Sequence, residues 1–329
     1  MQVATAPRQP RALAALSGSR APGVRRCIYL PAFALAGVTA WVVLYGAMDL
    51  ERRGLLGKSL AAGRGELAAP GLIALVVAVV VCEQLWPAQR RPALARGHVQ
   101  DACFFVLYAA AVVPLMTLLG VGFASLLGTH AKWIEAGWTS SWPRWSVAAV
   151  TLVAMDACNW LAHLADHRIE TLWRFHAVHH SQEELSVLTS FRAHPLVHTP
   201  GFLLATVPVV ALAGDHTMAA VLITVYVCMG TLPHANLRWT FGPLGRLIVS
   251  PAYHRLHHSV DGPQGANLGI VLTVWDVLAR RAIFPKAGEP ACRTGLAGRP
   301  LAVEQAGRSQ PLRFLGGQLL GPFSKSVRS

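Results

Sequence analysis

Histidine is the residue on which this sequence concentrates its chemistry. All of the 14 histidines except His98 and His130 fall between positions 163 and 258, most of them in three tight groups. His163 and His167 are spaced i, i+4. His176, His179 and His180 stand in Trp173-Arg174-Phe175-His176-Ala177-Val178-His179-His180-Ser181, and the same spacing returns at His254, His257 and His258. Residues three and four apart on a helix share a face, so each group can aim its imidazoles into one pocket. Neutral imidazole is a ligand for zinc, iron, copper and nickel. The three groups supply eight rings, and His194 and His234 bring the number to ten. A tetrahedral zinc needs about four, so this set suits two metals that keep positions open for water or oxygen. A lone histidine is more often structural or solvated, which is the reading for His98, His130, His198 and His216.

The elements that must carry these residues are apolar. The 329-residue chain is 53% hydrophobic and only 14% charged, with mean hydropathy +0.42. Together with several long apolar runs, this predicts an all-α, multi-span integral membrane helical bundle with a cytosolic histidine-rich helical cap. Candidate spans cover 28–48, 70–86, 102–127 and 145–163, with Pro114 expected to kink the third. A further pair, 197–213 and 217–233, is broken by Ala213-Gly214-Asp215-His216 and reads as a helical hairpin that crosses the bilayer or only enters it. Four divisions follow: a basic cytosolic tail (1–27), N-terminal transmembrane helices (28–144), a catalytic region (145–285) and a basic, disordered C-terminal tail (286–329). The cysteines, among them Cys82, Cys158 and Cys292, are scattered without a CxxC pair and read as small buried residues.

Charge excludes one class and orients the chain. The net charge is +13, from 29 Lys and Arg against 16 Asp and Glu. No zinc-finger spacing or aromatic-basic module accompanies it, so no nucleic-acid partner is expected. Basic loops and tails instead fix membrane orientation and sit against anionic headgroups. With the first tail inside, 87–101 is also inside and carries Arg90, Arg91 and Arg96, as the rule prefers. The outside segment 49–69 carries Arg52, Arg53, Lys58 and Arg64, against the rule. The fourth span ends at His163, and the hairpin leaves and returns before His234. Every histidine group therefore reaches one membrane face, expected to be cytoplasmic. The Ala-, Gly- and Arg-rich composition leans to a bacterial inner membrane over an endoplasmic reticulum.

Several polar residues are candidates to stand behind the histidines. Asp156 lies seven residues before His163, two helical turns away, and a carboxylate inside a span is a functional candidate by default. Asn236, Asn267 and Asp276 can brace ligands or simply make turns. Asp166 is placed on a different face from His163 and His167, solvated or paired with Arg168. Glu183 and Glu184 are read as local caps.

The order His163-xxx-His167, Leu172-Trp173-Arg174-Phe175-His176-xx-His179-His180 and His254-xx-His257-His258 resembles the fatty acid hydroxylase / sterol desaturase superfamily. Arg192-Ala193-His194-Pro195, Pro233-His234-Ala235-Asn236, Pro251, Asn267-Leu268-Gly269 and Trp275-Asp276 extend the match over roughly 145–280. The resemblance implies a membrane enzyme with a di-iron centre that uses O2 and two electrons to hydroxylate or desaturate a C–H bond of a lipid. It implies His163, His167, His176, His179, His180, His254, His257 and His258 as ligands, with His234 and His194 in addition. No side-chain nucleophile is needed, because a metal-bound oxidant does the abstraction. Two departures stand out: Leu164 follows the first histidine where members often have Arg, and Val277-Leu278-Ala279-Arg280 replaces a Phe-Gly-Thr ending.

Two other readings stay open. A histidine-based metal transporter should hold its ligands near the bilayer midplane, whereas these lie at or beyond one face. A non-redox metal-dependent enzyme could use the same scaffold. For the oxygenase, the chain shows no GxGxxG opening a helix and no iron–sulfur cysteine set. A separate electron donor is therefore expected, a ferredoxin or a cytochrome with its reductase, docked by Arg-rich segments such as Arg280-Arg281.

Overall fold

The structure is a computed structural model that describes residues 26–28, 30–60, 70–91, 97–135, 137–213, 216–263, 265–286, 288–296 and 311–326. Most of the expected N-terminal tail lies outside these residues. Among the described residues, four helices are long and apolar enough to cross a membrane: Leu30–Arg52 (α1), His98–His130, Arg144–Arg168 (α5) and Pro195–Leu212. The second of them is continuous through three parts, His98–Leu107 (α3), a π-helical turn at Tyr108–Val112 and Val113–His130 (α4). The kink expected at Pro114 takes that form. Proline offers no N–H to the carbonyl four residues back, and the helix widens by one residue just before it. Two shorter apolar helices, Pro70–Leu85 (α2) and His216–Thr231 (α8), complete the bundle with His198–Leu212 (α7).

α1 and α4 touch backbone to backbone. A Cβ on Gly46 would collide with the Leu118 carbonyl, and one on Gly122 with the Val42 carbonyl. Small residues allow this approach between apolar helices, where dispersion contacts rather than expulsion of water hold the pair. At the other end of α1, Ala32 packs with Phe175, Ala193, Leu196 and Val197. The start of α1, the end of α5, the start of α7 and the end of α8 therefore meet at one end of the bundle. The α7–α8 hairpin leaves that end and returns to it, as the sequence predicts.

A cap of short elements covers this end: Glu170–His180 (α6), Pro251–His257 (α9) and Val274–Leu278 (α10). One expectation is corrected here. The C-terminal segment was read as a solvated tail, yet Pro311–Leu320 (α11) lies on the cap. Phe314 is buried against Phe104 and Val178, and Phe323 packs on Phe33 and Phe175. Its apolar side chains complete a face that α3 and α6 leave uncovered, a long-range fit with no periodicity to betray it. The segment ends in a short strand, Ser324–Ser326 (β2), antiparallel to Arg26–Ile28 (β1).

Candidate metal centre

Each histidine arrives on a separately anchored element. The last turns of α5 present His163 and His167. The chain then reverses at Ile169, whose backbone is extended (φ −101°, ψ 118°), and α6 lays His176, His179 and His180 back over them. A 3-10 turn at Leu232–His234 delivers His234. Ser250 caps α9 by accepting the Tyr253 N–H at 3.2 Å, with Pro251 in the first turn, where its missing N–H costs nothing. That short helix carries His254 and His257, and His258 follows at its C-terminus.

Nine of the ten predicted rings converge in two groups. His163, His167, His176, His180 and His257 form one; His179, His234, His254 and His258 form the other; within each group the ligand atoms lie within 4.8 Å of one another. In the first, Nε2 of His176 is 3.1 Å from Nε2 of both His163 and His180, and His180 Nε2 is 3.1 Å from His257 Nε2. In the second, His234 Nε2 stands 3.0 Å from both His179 and His254, and His254 Nε2 is 3.2 Å from His258.

Proton counting shows that the first group is built for a cation. The Nδ1–H groups of His163 and His257 donate to the Leu268 and Ala266 carbonyls at 2.7 and 2.9 Å. Their Nε2 atoms therefore carry lone pairs. His176 and His180 would both have to present N–H to those lone pairs, and would then face each other hydrogen to hydrogen. No arrangement of neutral tautomers satisfies all three contacts, whereas one positive ion satisfies every inward lone pair. The spacing agrees: with metal–nitrogen bonds of about 2.1 Å, nitrogens on adjacent octahedral positions lie about 3.0 Å apart. His167 Nε2 is buried without a hydrogen-bond partner, which is an open lone pair for the same ion. The residues fit a pair of metal ions.

Burial keeps the rings neutral. Apart from half-buried His167, each of the nine is at most 9% exposed. Desolvation, reinforced by neighbouring rings, pushes His176, His179, His180, His254, His257 and His258 well below the ordinary value of 6.5. Neutral imidazole is the form that ligates.

The residues expected to stand behind the histidines mostly hold backbone. Asp276 accepts from the Leu268 and Gly269 N–H groups at 2.9 and 2.8 Å, from Trp160 Nε1 at 2.8 Å and from the Tyr253 hydroxyl at 2.9 Å. The Leu268 carbonyl that orients His163 is thereby fixed. Asn267, at φ +56°, donates to the Tyr253 and Ile283 carbonyls and closes that turn. Asn236 bridges the Gln89 backbone and Arg255. Asp156 touches no histidine; it accepts from Trp275, Leu272, Val271 and Tyr226 and ties the 271–275 loop to α5.

His194 lies apart. Its Nδ1 accepts the Leu196 N–H and its Nε2 reaches the Leu319 carbonyl at 3.1 Å, so both nitrogens serve the fold. Asp166 also differs from expectation: it is 6% exposed and 3.8 Å from His176 Nδ1. It was placed on a solvated face of α5, but α6 folds back over that face and buries it.

Sequence reading missed two buried acids. Asp101 pairs with Arg192, both fully buried, and also accepts from Gln182 and Thr189. Arg192 further donates to Ser181 and to the Gly97 carbonyl, and its own carbonyl faces His179 Nδ1 at 3.2 Å. Glu83 accepts the Val187 and Asn236 N–H groups at 2.7 and 2.8 Å, which secures the turn bearing His234. A carboxylate within an apolar run was the available signal for Glu83; Asp101 offered none.

A cavity of about 1510 Å³ opens from this centre into the bundle. His163, His176, His179, His234 and His254 face one end of it, Leu50 and Arg53 the other, and its middle is lined by apolar residues of α4, α7 and α8 such as Met116, Phe202 and Ile223.

These observations define a class: a bundle of membrane-length helices bearing two polyhistidine groups, suited to metal, at the head of an apolar cavity. Residues 148–280 match the family model described as fatty acid hydroxylase, and through these residues the chain is similar to that family. It is similar to the ornithine lipid hydroxylase OlsE of Rhizobium tropici, 26% identical over 211 residues that cover 63% of this chain and 64% of that protein. It is also similar to alkylglycerol monooxygenases. The Danio rerio enzyme is 26% identical over 44% of this chain and 31% of its own length, and the Homo sapiens enzyme 25% identical over 42% and 30%. The chain thus spans less than two thirds of the length of these relatives. No solved structure matches it.

Proposed function

We propose that this protein is a membrane-embedded di-iron oxygenase that hydroxylates a C–H bond of a lipid. The carrying observation is that both histidine groups present rings to one end of a long apolar cavity. His163, His167, His176, His180 and His257 would hold one iron, and His179, His234, His254 and His258 the other. Bound iron supplies O2 activation, with one oxygen atom inserted into the substrate and the other leaving as water at the expense of two electrons and two protons. The chain's part is geometric. Carbonyls of Leu268, Ala266 and Arg192 set ring orientation, the cap excludes water, and apolar walls hold an extended chain with one carbon at the histidine end.

The electrons are assigned to a separate ferredoxin, or cytochrome with its reductase, docking on the cap. The histidine end faces the cytoplasm of a bacterial inner membrane in this reading. The relatives being a hydroxylase and monooxygenases favours hydroxylation over desaturation. The test compares lipid extracts of cells with and without the gene, and of cells expressing the His180→Ala variant. A lipid heavier by one oxygen should appear only with the intact gene. Equal lipid profiles in all three, with the wild-type protein present and holding two metals per chain, would reject the oxygenase.

A further inference from the structure

The two ends of the cavity differ. At the histidine end its lining, which includes His163, His176, His234 and Ala193, is buried beneath the cap. At the other end the lining residues Arg53, Leu55, Thr129 and Gly137 are exposed. Between them Val113, Met116, Gly120, Ala124 and Gly128 line the wall at helical spacing, so the cavity follows one face of α4. From Val113 to Thr129 that path is about 24 Å at the helical rise of 1.5 Å per residue, most of the roughly 30 Å depth of a bilayer's hydrocarbon. Polar side chains along the way are turned back to the protein. Thr117 and Thr206 donate to the Val113 and Phe202 carbonyls at 2.9 and 2.8 Å, Asn159 to the Met155 carbonyl and Tyr226 to Asp156. At the open end stands an ion pair, Asp49 with Arg53 at 2.9 Å. Beside it, in the segment joining α4 to α5 and the first turn of α5, Trp133, Trp138, Trp142 and Trp145 are all exposed. Tryptophan collects at the boundary between bilayer and water, which sets this mouth at the membrane interface opposite the cap.

From this asymmetry we infer that the lipid lies in the cavity tail-first, with its polar head at the mouth beside Arg53 and the far end of its chain at the histidines. The proposal rests on the lipid-oxygenase reading and names the part of the substrate that it oxidises. The opposite orientation would strip a polar head of water and bury it under the cap, where no free donor or counter-charge is presented to it. Tail-first, every methylene gains apolar contact while the head keeps its water and meets the charged pair. The C–H bond at the metal groups then belongs to the distal part of the chain.

The test uses full-length, metal-loaded protein in detergent without reductant, so that no turnover is involved. Two octadecanoic acids carry a photoreactive diazirine, one beside the carboxyl and one near the chain end. Labelled peptides are mapped by mass spectrometry, with unlabelled octadecanoic acid as competitor. The chain-end probe should label residues 155–163 or 193–201, and the carboxyl-side probe residues 49–59 or 125–139, which line the two ends. A Cβ on Gly120 would stand 2.7 Å from the Phe202 ring, so Gly120→Leu plugs the passage midway. That variant, with its metal retained, should lose the chain-end label at the histidine end and keep labelling at the mouth. A reversed pattern, both probes labelling one end, or a histidine-end label that survives Gly120→Leu overturns the proposal. If Gly120→Leu fails to fold, the wild-type pattern alone decides. A reversed pattern leaves the oxygenase reading standing, whereas the expected pattern in a protein that never oxidises lipid counts against the oxygenase alone.

Discussion

At the scale of single residues, the two histidine groups divide the labour between His180 and His254. His180 Nε2 sits between His176 and His257, and His254 Nε2 between His234 and His258. We expect His180→Ala and His254→Ala each to lower metal content from about two ions per chain towards one, measured by metal analysis of anaerobically purified protein. His194→Ala should keep both metals, because both His194 nitrogens serve the fold. Equal loss in all three variants would defeat the ligand assignment. Arg192 is a different case, a guanidinium fully buried among Asp101, Ser181 and Gly97. Asp101→Asn leaves it uncompensated and should cost about 3–5 kcal/mol, read as a lower thermal midpoint in detergent.

Among the elements, α6 and α9 carry a pH dependence with a definite sign. Burial lowers the folded-state values of the α6 histidines and of His254, His257 and His258 below 6.5. The folded chain therefore refuses protons that the unfolded chain accepts. Their contribution to stability is full above pH 6.5 and declines as pH falls below it, by about tenfold in the folding constant per pH unit for each ring. Metal-stripped protein should lose thermal stability steeply on titration from pH 7 to pH 5, and added metal should oppose the loss. A flat profile in the stripped protein would mean that the cap admits water and protons. The α1–α4 crossing makes a separate demand. Gly46→Leu forces a side chain into the Leu118 carbonyl and should destabilise by about 1–3 kcal/mol, whereas Gly37→Leu, with open space around it, should be near neutral.

For the whole molecule, the chain ends matter more than their composition suggests. α11 seats Phe314 between α3 and α6 and under Arg192. Phe314→Ala should cost about 3–5 kcal/mol and loosen the cap over the metal groups, seen as faster amide exchange in residues 176–181. Unchanged exchange would show that α11 is an appendage. The long elements were legible because bilayer-length apolar runs have few alternatives: Ile28–Met48 and the run ending at His163 appear close to α1 and α5, and Ala213-Gly214-Asp215-His216 marked the hairpin turn. The cap was legible only in part. Its helices are short, its hydrogen bonds join residues far apart in sequence, and Asp101 meets Arg192 across ninety-one positions.

Spacing by itself grouped eight of the histidines, because i, i+3 and i+4 residues on a helix must share a face whatever surrounds them. It also determined that all of them reach one end of the bundle, since the hairpin crosses an even number of times. Only the tertiary structure decided which rings share a group: five come from α5, α6 and α9, and four from α6, the turn at His234, α9 and the residue just after it. It separated His194 from the other nine and turned Asp166 from a solvated acid into a buried one beside His176. Those outcomes depend on how α6 folds back across α5 and where α11 lands, contacts fixed by packing between distant segments that no local pattern encodes.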